Sequence, residues 1–401
     1  MPRPGAVDRG GDEKREGRAL KIRDALLDYR RDTYVVSARV FQDRPGAYPE
    51  PPEPVEVPQV VPVIDCASGY FRHGTARVIA AALRDLDPEL VSRYPEVGYE
   101  TLVKPFLLAR YGADGVTARN LFLGHGSFNL MERVIHKLLR GDVMLGVGPQ
   151  FGEIPSEFVA SGGTYRSLLL DESDYRLPRE GLERELAGHA VSIVYVDNPN
   201  NPLGLHWGLD EIERLAVTCD RHDAVLLVDE AWGDYVDDSE SAIHLVGRHP
   251  NVIVARSFSK ALGLAGERVG YMFLSAPLAR YYRQVHTPFE PCIVGAVLAK
   301  AVLESEVIDE VRGEAVRKKE RVVRAFEAAG LHVLPTHPGV AIMGVEAPSR
   351  DIVSELKARG IRVLGGSSFS HTHPRWDDSF CRVRIVERDM IEPLCQRLAA
   401  L

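Results

Sequence analysis

Residues 257–270 read SFSKALGLAGERVG and follow the apolar run NVIVA at residues 251–255. The apolar run predicts a buried strand, and residues 268–274 predict another. Lys260 therefore lies just beyond a strand end, between serine hydroxyls and Arg268. Burial at such a place lowers the pKa of a lysine, because desolvation disfavours the ammonium form, and a neutral lysine attacks carbonyl groups. The alternative is an ordinary surface lysine after a strand.

The whole string resembles the cofactor-lysine segment of the fold-type-I pyridoxal-phosphate (PLP) enzymes, the aminotransferase class I and II superfamily. The resemblance implies that Lys260 forms a Schiff base with PLP. It also implies that Ser257 and Arg268 bind the cofactor phosphate, with Ser259 in the same site. Hydroxyl and guanidinium groups suit a phosphate because they donate hydrogen bonds to its oxygens.

Composition excludes several classes of protein. The chain has 401 residues, 45% of them hydrophobic, and a formal net charge of −8, which favours neither nucleic acid nor an anionic membrane as a partner. The five cysteines form neither a disulfide framework nor a zinc pattern, which favours a reducing compartment. His371 and His373 lie in a loop without other ligands nearby, so we interpret them as loop residues and expect no metal. No apolar run is long enough to cross a bilayer, and we expect a soluble, cytoplasmic protein.

Three segments are expected along the chain. Residues 1–62 form a charged and proline-rich extension, with a short amphipathic helix at residues 20–31 and then an arm over a partner subunit or a solvated linker. Residues 63–295 form a large PLP-binding domain, whose opening segment is a candidate to pack on the small domain. Residues 296–401 form that small domain. The resemblance implies an α/β, fold-type-I architecture, with a mainly parallel sheet of the seven-stranded type and a smaller α+β domain.

A phosphate cup and an aromatic platform are expected next. Residues 121–129 read LFLGHGSFN and open a helix, whose N-terminus offers unpaired amide donors. By resemblance, Gly126, Ser127 and Phe128 form the cup. Phe151 lies two positions after a proline, where relatives stack an aromatic ring on the pyridine ring of the cofactor. A phenylalanine in the hydrophobic core is the alternative.

Two further cofactor contacts follow strands. The uncharged strand at residues 191–196 leads into DNPNNPLG at residues 197–204, close to the superfamily string N-P-x-N-P-T-G. The resemblance assigns Asn201 to the phenolic oxygen of the cofactor. The apolar strand at residues 224–228 ends at Asp229, and a carboxylate there is costly unless it meets a cation. The protonated pyridine nitrogen is such a cation, and holding its proton keeps the ring an electron sink.

Two aromatic residues bear on the reaction and the assembly. Trp232 stands where the superfamily commonly has a tyrosine that donates to the phenolic oxygen, and an indole N–H can donate but cannot ionise. Tyr94 resembles the tyrosine of a "YP" link that reaches the cofactor phosphate of the other subunit. The resemblance therefore implies a homodimer with shared active sites. A loop tyrosine packed against Pro95 is the alternative.

The C-terminal segment carries candidate substrate ligands. Residues 381–386 read CRVRIV and alternate with period two, so Arg382 and Arg384 share one face of a strand. The segment resembles the superfamily strand whose arginine binds the substrate carboxylate. Arg382 is expected to do so, and Arg384 is expected toward the distal end of the substrate.

Six motifs in this order resemble most the histidinol-phosphate aminotransferase branch. However, ASGYF at residues 67–71 replaces the N-E-N-P-type string of that branch, which argues against histidinol phosphate itself. The first hypothesis is a PLP-dependent aminotransferase acting on an α-amino acid or related amine, in which Lys260 moves a proton between Cα and C4′ of the cofactor. The alternative is a PLP-dependent lyase, decarboxylase, replacement or cyclising enzyme of a specialised biosynthetic pathway. A third hypothesis is an aminotransferase-like sensor domain of a transcription regulator.

Overall fold

The computed structural model describes residues 63–68 and 74–401. The expected extension at residues 1–62, with its helix and proline-rich arm, lies outside the described residues, as do residues 69–71 of the ASGYF segment. Within the described part, no helix has both the length and the apolar character that crossing a bilayer requires.

The described chain alternates short strands with helices. The strands are β1 (Ile64–Asp65), β2 (Leu121–Gly124), β3 (Val143–Gly148), β4 (Thr164–Leu169), β5 (Val191–Asp197), β6 (Val225–Glu230), β7 (Val252–Ser257), β8 (Gly270–Leu274), β9 (His332–Val333), β10 (Ile342–Glu346), β11 (Ile361–Arg362), β12 (Leu364–Gly365) and β13 (Phe380–Arg384). The α-helices are α1 (Thr75–Arg84), α2 (Lys104–Tyr111), α3 (Gly126–Arg133), α4 (Glu153–Ala160), α5 (Arg179–Gly188), α6 (Leu209–Arg221), α7 (Ile243–Val246), α8 (Ala276–Val285), α9 (Ile293–Leu303), α10 (Val307–Ala328), α11 (Ile352–Ala358) and α12 (Arg388–Leu398).

A large sheet occupies the centre of the described chain. It contains seven strands in the order β2-β8-β7-β6-β5-β3-β4. Strand β8 runs antiparallel to β2 and β7, and the pairs from β7 to β4 are parallel. Successive residues of β7 belong to two different hydrophobic clusters, Val252 and Val254 to one, Ile253 and Ala255 to the other. A sheet covered on both faces explains why these strands are apolar throughout, and the expected mainly parallel sheet is confirmed.

A second, antiparallel sheet is formed by the C-terminal part of the described chain, in the order β12-β13-β10-β9. Strand β1 pairs in parallel with β11, with Ile64 opposite Ile361. The opening segment of the described chain therefore packs against the C-terminal part rather than against the large sheet. Two helices, α9 and α10, precede this second sheet in the chain.

A buried charge network supports the end of β6 and β7. Arg256 is 1% exposed and donates to Glu230 Oε2 at 2.7 Å and to Asp234 Oδ1 at 2.7 Å. Arg110 donates to the same Asp234 oxygen at 2.8 Å and also to Asp238. Buried charges are tolerated when they are paired and hydrogen-bonded, so this network fixes the loop that follows β6.

Candidate functional site

The carboxyl ends of β5, β6 and β7 lie side by side, with Asp197 opposite Asp229 and Asp229 opposite Ala255. A cavity of about 350 Å³ lies just beyond them. Its lining consists of Ser127, Phe128, Met131, Phe151, Asp197, Asn201, Asp229, Ala231, Trp232, Ser257, Ser259, Lys260, Ala265 and Arg268. The structure thus brings the expected cofactor residues together, except for Gly126, which adjoins Ser127, and Tyr94. Such a place beyond the strand ends is where open α/β sheets bind ligands.

Lys260 lies on the turn that follows β7 and lines the cavity. Burial lowers the pKa of Lys260 to about 8, because the ammonium ion loses hydration. Repulsion from Arg382 lowers this pKa further, and attraction to Asp229 opposes the change. At neutral pH a much larger fraction of Lys260 than of an exposed lysine is therefore the neutral amine, which is the form that attacks a carbonyl group.

Trp232 lines the cavity beside Lys260. The indole is 3% exposed and stacks on Tyr235, with ring centres 5.9 Å apart. Lys260 Nζ lies 5.3 Å from the centre of the Trp232 ring. An ammonium over a ring face is attracted by the ring quadrupole, so Trp232 helps to hold the lysine side chain within the cavity.

Asp229 offers a buried carboxyl group at the floor of the cavity. It is 4% exposed and accepts hydrogen bonds from the Ala231 amide at 2.9 Å and the Tyr195 hydroxyl at 3.1 Å. Burial raises the pKa of Asp229 to about 6. A cationic ring nitrogen placed here would favour the carboxylate form. Sequence reasoning did not predict that Tyr195 donates to Asp229. A polar hydroxyl within an otherwise apolar strand was the signal that could have indicated it.

The N-terminus of α3 also lines the cavity, through Ser127 and Phe128. Gly126 has φ +82°, and a Cβ there would lie 2.9 Å from Arg268 Nη2. A Cβ at Gly270 would collide with the Ser127 backbone nitrogen. Ser257 donates from Oγ to Ser259 Oγ at 2.8 Å, and Arg268 Nη1 lies 3.5 Å from the latter oxygen. The helix start, two serine hydroxyls and a guanidinium thus lie together at the cavity, and donors of this kind fit the phosphate of PLP.

The aromatic platform and the asparagine are connected through an aspartate that sequence reasoning did not assign. The Phe151 amide donates to Asp197 Oδ2 at 3.1 Å, and the Asn201 amide donates to the same oxygen at 2.9 Å. Asn200 Nδ2 donates to Asp197 Oδ1 at 2.9 Å. Burial raises the pKa of Asp197 to about 8, although these donors oppose the change. An acidic residue ending an apolar strand was the signal that identified Asp229, and it applied equally to Asp197.

Arg382 and Arg384 have different surroundings. Arg382 Nη1 donates to Asn201 Oδ1 at 3.1 Å, and its Nη2 donates to the Ala67 carbonyl. Asn201 lines the cavity, so Arg382 lies beside it. Arg384 instead donates to Glu387 Oε1 at 2.8 Å and to the Asp65 carbonyl at 2.5 Å. The guanidinium of Arg384 thus joins β13 to the segment of β1, and the substrate-binding roles of both arginines stay predictions.

Tyr94 lies outside the cavity of its own chain. It is 85% exposed, and its ring lies 5.1 Å from that of Phe289, which is also exposed. A loop tyrosine packed against Pro95 was the alternative to a role in the neighbouring subunit. An exposed side chain is compatible with either role, and the contact with a neighbouring subunit stays a prediction.

The segment His371-Thr372-His373 is a loop that contacts the backbone of Gln150. Thr372 Oγ1 accepts from the Gln150 amide at 3.2 Å and donates to the Gln150 carbonyl at 3.1 Å. The His371 ring stacks on Tyr165 at 5.5 Å, and His373 stacks on a tryptophan of its own loop at 4.5 Å. The loop therefore holds the backbone immediately before Phe151, a contact that sequence reasoning missed.

Comparison with known proteins gives a consistent family. The family model described as aminotransferase class I and II matches residues 61–398. The histidinol-phosphate aminotransferase of Rubrobacter xylanophilus is 35% identical, with 67% of this chain and 76% of that protein covered. An aromatic amino acid aminotransferase of Mycobacterium sp. (strain KMS) is 27% identical, with 75% of this chain and 87% of that protein covered.

A solved structure shows the same fold. Histidinol-phosphate aminotransferase from Sinorhizobium meliloti, in complex with pyridoxal-5'-phosphate, superposes with a TM-score of 0.72 at 22% identity. The match covers 84% of this chain and 91% of that chain.

The lowered pKa of Lys260 predicts its reactivity in cofactor-free protein. Labelling by an amine-directed reagent should rise with pH around a midpoint near 8, since the ammonium form below that pH is unreactive. Mass spectrometry of the labelled peptide at a series of pH values measures this midpoint, with exposed lysines of the same sample as the reference. In Arg382→Ala the midpoint should move upward, because a repelling charge has been removed. A wild-type midpoint at or above that of the exposed lysines would contradict the prediction.

Proposed function

Because this chain belongs to the aminotransferase class I and II family and is a PLP-dependent aminotransferase, we propose that Lys260 carries the cofactor and that an α-amino acid or related amine is the amino donor. The observation that supports this most directly is the position of Lys260, which lines one cavity together with Ser127, Arg268 and Asp229. The earlier alternative of a lyase, decarboxylase, replacement or cyclising enzyme is not favoured by the named relatives.

The chain offers a separate group for each part of PLP. Gly126, Ser127, Phe128, Ser257, Ser259 and Arg268 would hold the phosphate; Phe151 would stack on the ring; Asn201, with Trp232, would bind the phenolic oxygen; and Asp229 would hold the proton on the pyridine nitrogen. When bound, PLP supplies an electron sink for the charge that develops at the substrate Cα. The protein positions the substrate and moves the protons.

Lys260 is proposed as the proton carrier. Its Nζ lies in a cavity that lowers its pKa. As a free amine it would take the proton from the substrate Cα and return it at C4′ of the cofactor. General acid–base groups work best when their pKa lies near the working pH, which burial has arranged here.

The substrate would enter with its carboxylate toward Arg382. A guanidinium matches a carboxylate with two parallel hydrogen bonds, and Arg382 already lies against Asn201.

The relatives from Rubrobacter xylanophilus and Mycobacterium are named for substrates that carry a planar ring. Ring-bearing amino acids are therefore the amino donors that we propose first.

Assembly and location are also proposed. A homodimer with shared sites would place the exposed Tyr94 against the cofactor phosphate of the partner subunit. Residues 63–295 would form the cofactor domain and residues 296–401 the small domain, with the opening segment joined to the latter through β1 and β11. A cytoplasmic location fits the five cysteines, all of which are free.

The test of the proposed activity is direct. Purified protein incubated with PLP, single amino acids and an oxo-acid acceptor should convert the donor into its oxo acid, identified by mass. Borohydride should attach the cofactor covalently to Lys260, and Lys260→Ala should lose turnover while its far-UV circular dichroism is unchanged. Wild-type protein that binds no PLP, or that carries it on another lysine, would refute the proposal.

Arg382→Ala should lose about 10²-fold or more in kcat/KM for α-carboxylate donors, because a charge-assisted pair is removed. Donor amines without the carboxylate should lose much less. Arg321→Ala is a suitable control, since that arginine is exposed and pairs with Glu392. Equal losses for acids and amines would show that Arg382 does not bind the carboxylate.

Arg384→Ala should instead lower the melting temperature, since the ion pair between Arg384 and Glu387 is lost.

Tyr94 should act in the neighbouring subunit. If Tyr94→Phe and Lys260→Ala are both strongly impaired, mixing them should restore part of the activity, because one site of each heterodimer carries neither substitution. Native mass spectrometry would establish that heterodimers form. Heterodimers without recovered activity would show that Tyr94 does not act in trans.

A further inference from the structure

Asp197 is a second buried acid at the floor of the cavity, to which the proposed function assigns no role. It is 3% exposed and is the Cα partner of Asp229 in the neighbouring parallel strand. Residues paired in this way leave the same face of the sheet at the same level, with strands about 4.8 Å apart. Both side chains line the cavity. Burial of two acidic groups at one place is costly, so the position of Asp197 calls for a specific compensation.

That compensation comes from two separate loops. The Asn201 amide, in the loop after β5, and the Phe151 amide, in the loop after β3, donate to the single atom Asp197 Oδ2 at 2.9 and 3.1 Å. Asn200 extends the bridge, because its Nδ2 donates both to Asp197 Oδ1 at 2.9 Å and to the Pro149 carbonyl at 2.8 Å. The carboxylate thus joins the two loops at two points.

An ordinary turn does not account for this arrangement. The contact with Asn201 spans four residues and is local, but the contact with Phe151 spans 46 residues of chain. A hydrogen-bonding cap of a turn requires only the local contact. The long-range contact reaches the residue that carries the proposed aromatic platform.

We propose that Asp197 is a positioning residue, whose carboxyl group holds the backbone of Phe151 and the backbone of Asn201 in a constant relation, so that the stacking ring and the phenolic-oxygen ligand keep the spacing required by the cofactor ring. This inference rests on the proposed function, because both contacts with the cofactor are assigned there. It extends that function by naming the group that sets their geometry.

Three variants test the proposal. Asp197→Ala removes every acceptor, leaves two buried amides without their partner, and should weaken PLP binding to the cofactor-free protein by about tenfold or more. Asp197→Asn retains one oxygen that can accept both amides, and its PLP affinity should stay within about threefold of wild type. Asp351→Ala is the control, since Asp351 accepts from the Ser354 amide at 2.9 Å at a helix start outside the cavity. PLP affinity is measured by absorbance titration.

The orientation of the bound cofactor is a second measurement. The visible circular dichroism of bound PLP should be reduced in Asp197→Ala and should match wild type in Asp197→Asn and Asp351→Ala. If the alanine variant does not fold, as judged by far-UV circular dichroism, Asp197→Leu removes the acceptors without leaving a comparable void.

The outcomes separate the two hypotheses. Wild-type protein that binds no PLP refutes the proposed function. Wild-type protein that binds PLP, together with an alanine or leucine variant of equal affinity and equal visible circular dichroism, refutes only the role of Asp197. An asparagine variant as weak as the alanine variant would also refute it, because its remaining oxygen still accepts from the Phe151 and Asn201 amides on which the proposal depends.

Discussion

Acidic groups at the ends of apolar strands impose the constraint on which this cavity depends. Asp197, Asp229 and Glu230 all lie at the carboxyl ends of strands in which all residues but one are buried. A carboxylate removed from water must recover hydrogen bonds or a counter-charge. Glu230 recovers both from Arg256 and Ser241. Asp229 has neutral donors and a more distant Lys260, so a cation delivered by a ligand is stabilised most effectively there.

The cationic groups lie on the other sides of the same cavity. Arg268 lies beside Ser259, and Arg382 lies beside Asn201. Both arginines disfavour the charged form of Lys260. A ligand with a phosphate at one end, a protonated ring nitrogen at the other and a substrate carboxylate at the side compensates each charge. The same electrostatics that orient such a ligand also produce the neutral lysine that the chemistry requires.

The site is assembled from distant parts of the chain. Strand β13 supplies Arg382, and the loop around Thr372 supports the backbone that precedes Phe151. Both contacts come from the C-terminal part, and both end on loops that follow strands of the large sheet. Displacement of the C-terminal part would therefore move Arg382 and the backbone that precedes Phe151 together. The site is coupled across the fold by hydrogen bonds.

Local patterns in the sequence predicted the strand ends, the buried lysine after β7, the glycine-rich helix start and the position of Asp229. These patterns are apolar runs, glycine and proline positions, and a charge after a buried strand. The packing of the chain was needed to show that Arg382 contacts Asn201 whereas Arg384 pairs with Glu387, because alternation along a strand gives both arginines the same face. It also showed that Asp197 joins the loops of Phe151 and Asn201. That contact spans 46 residues of chain, and the pairing of groups so far apart is set by how strands and loops pack rather than by their spacing in the sequence.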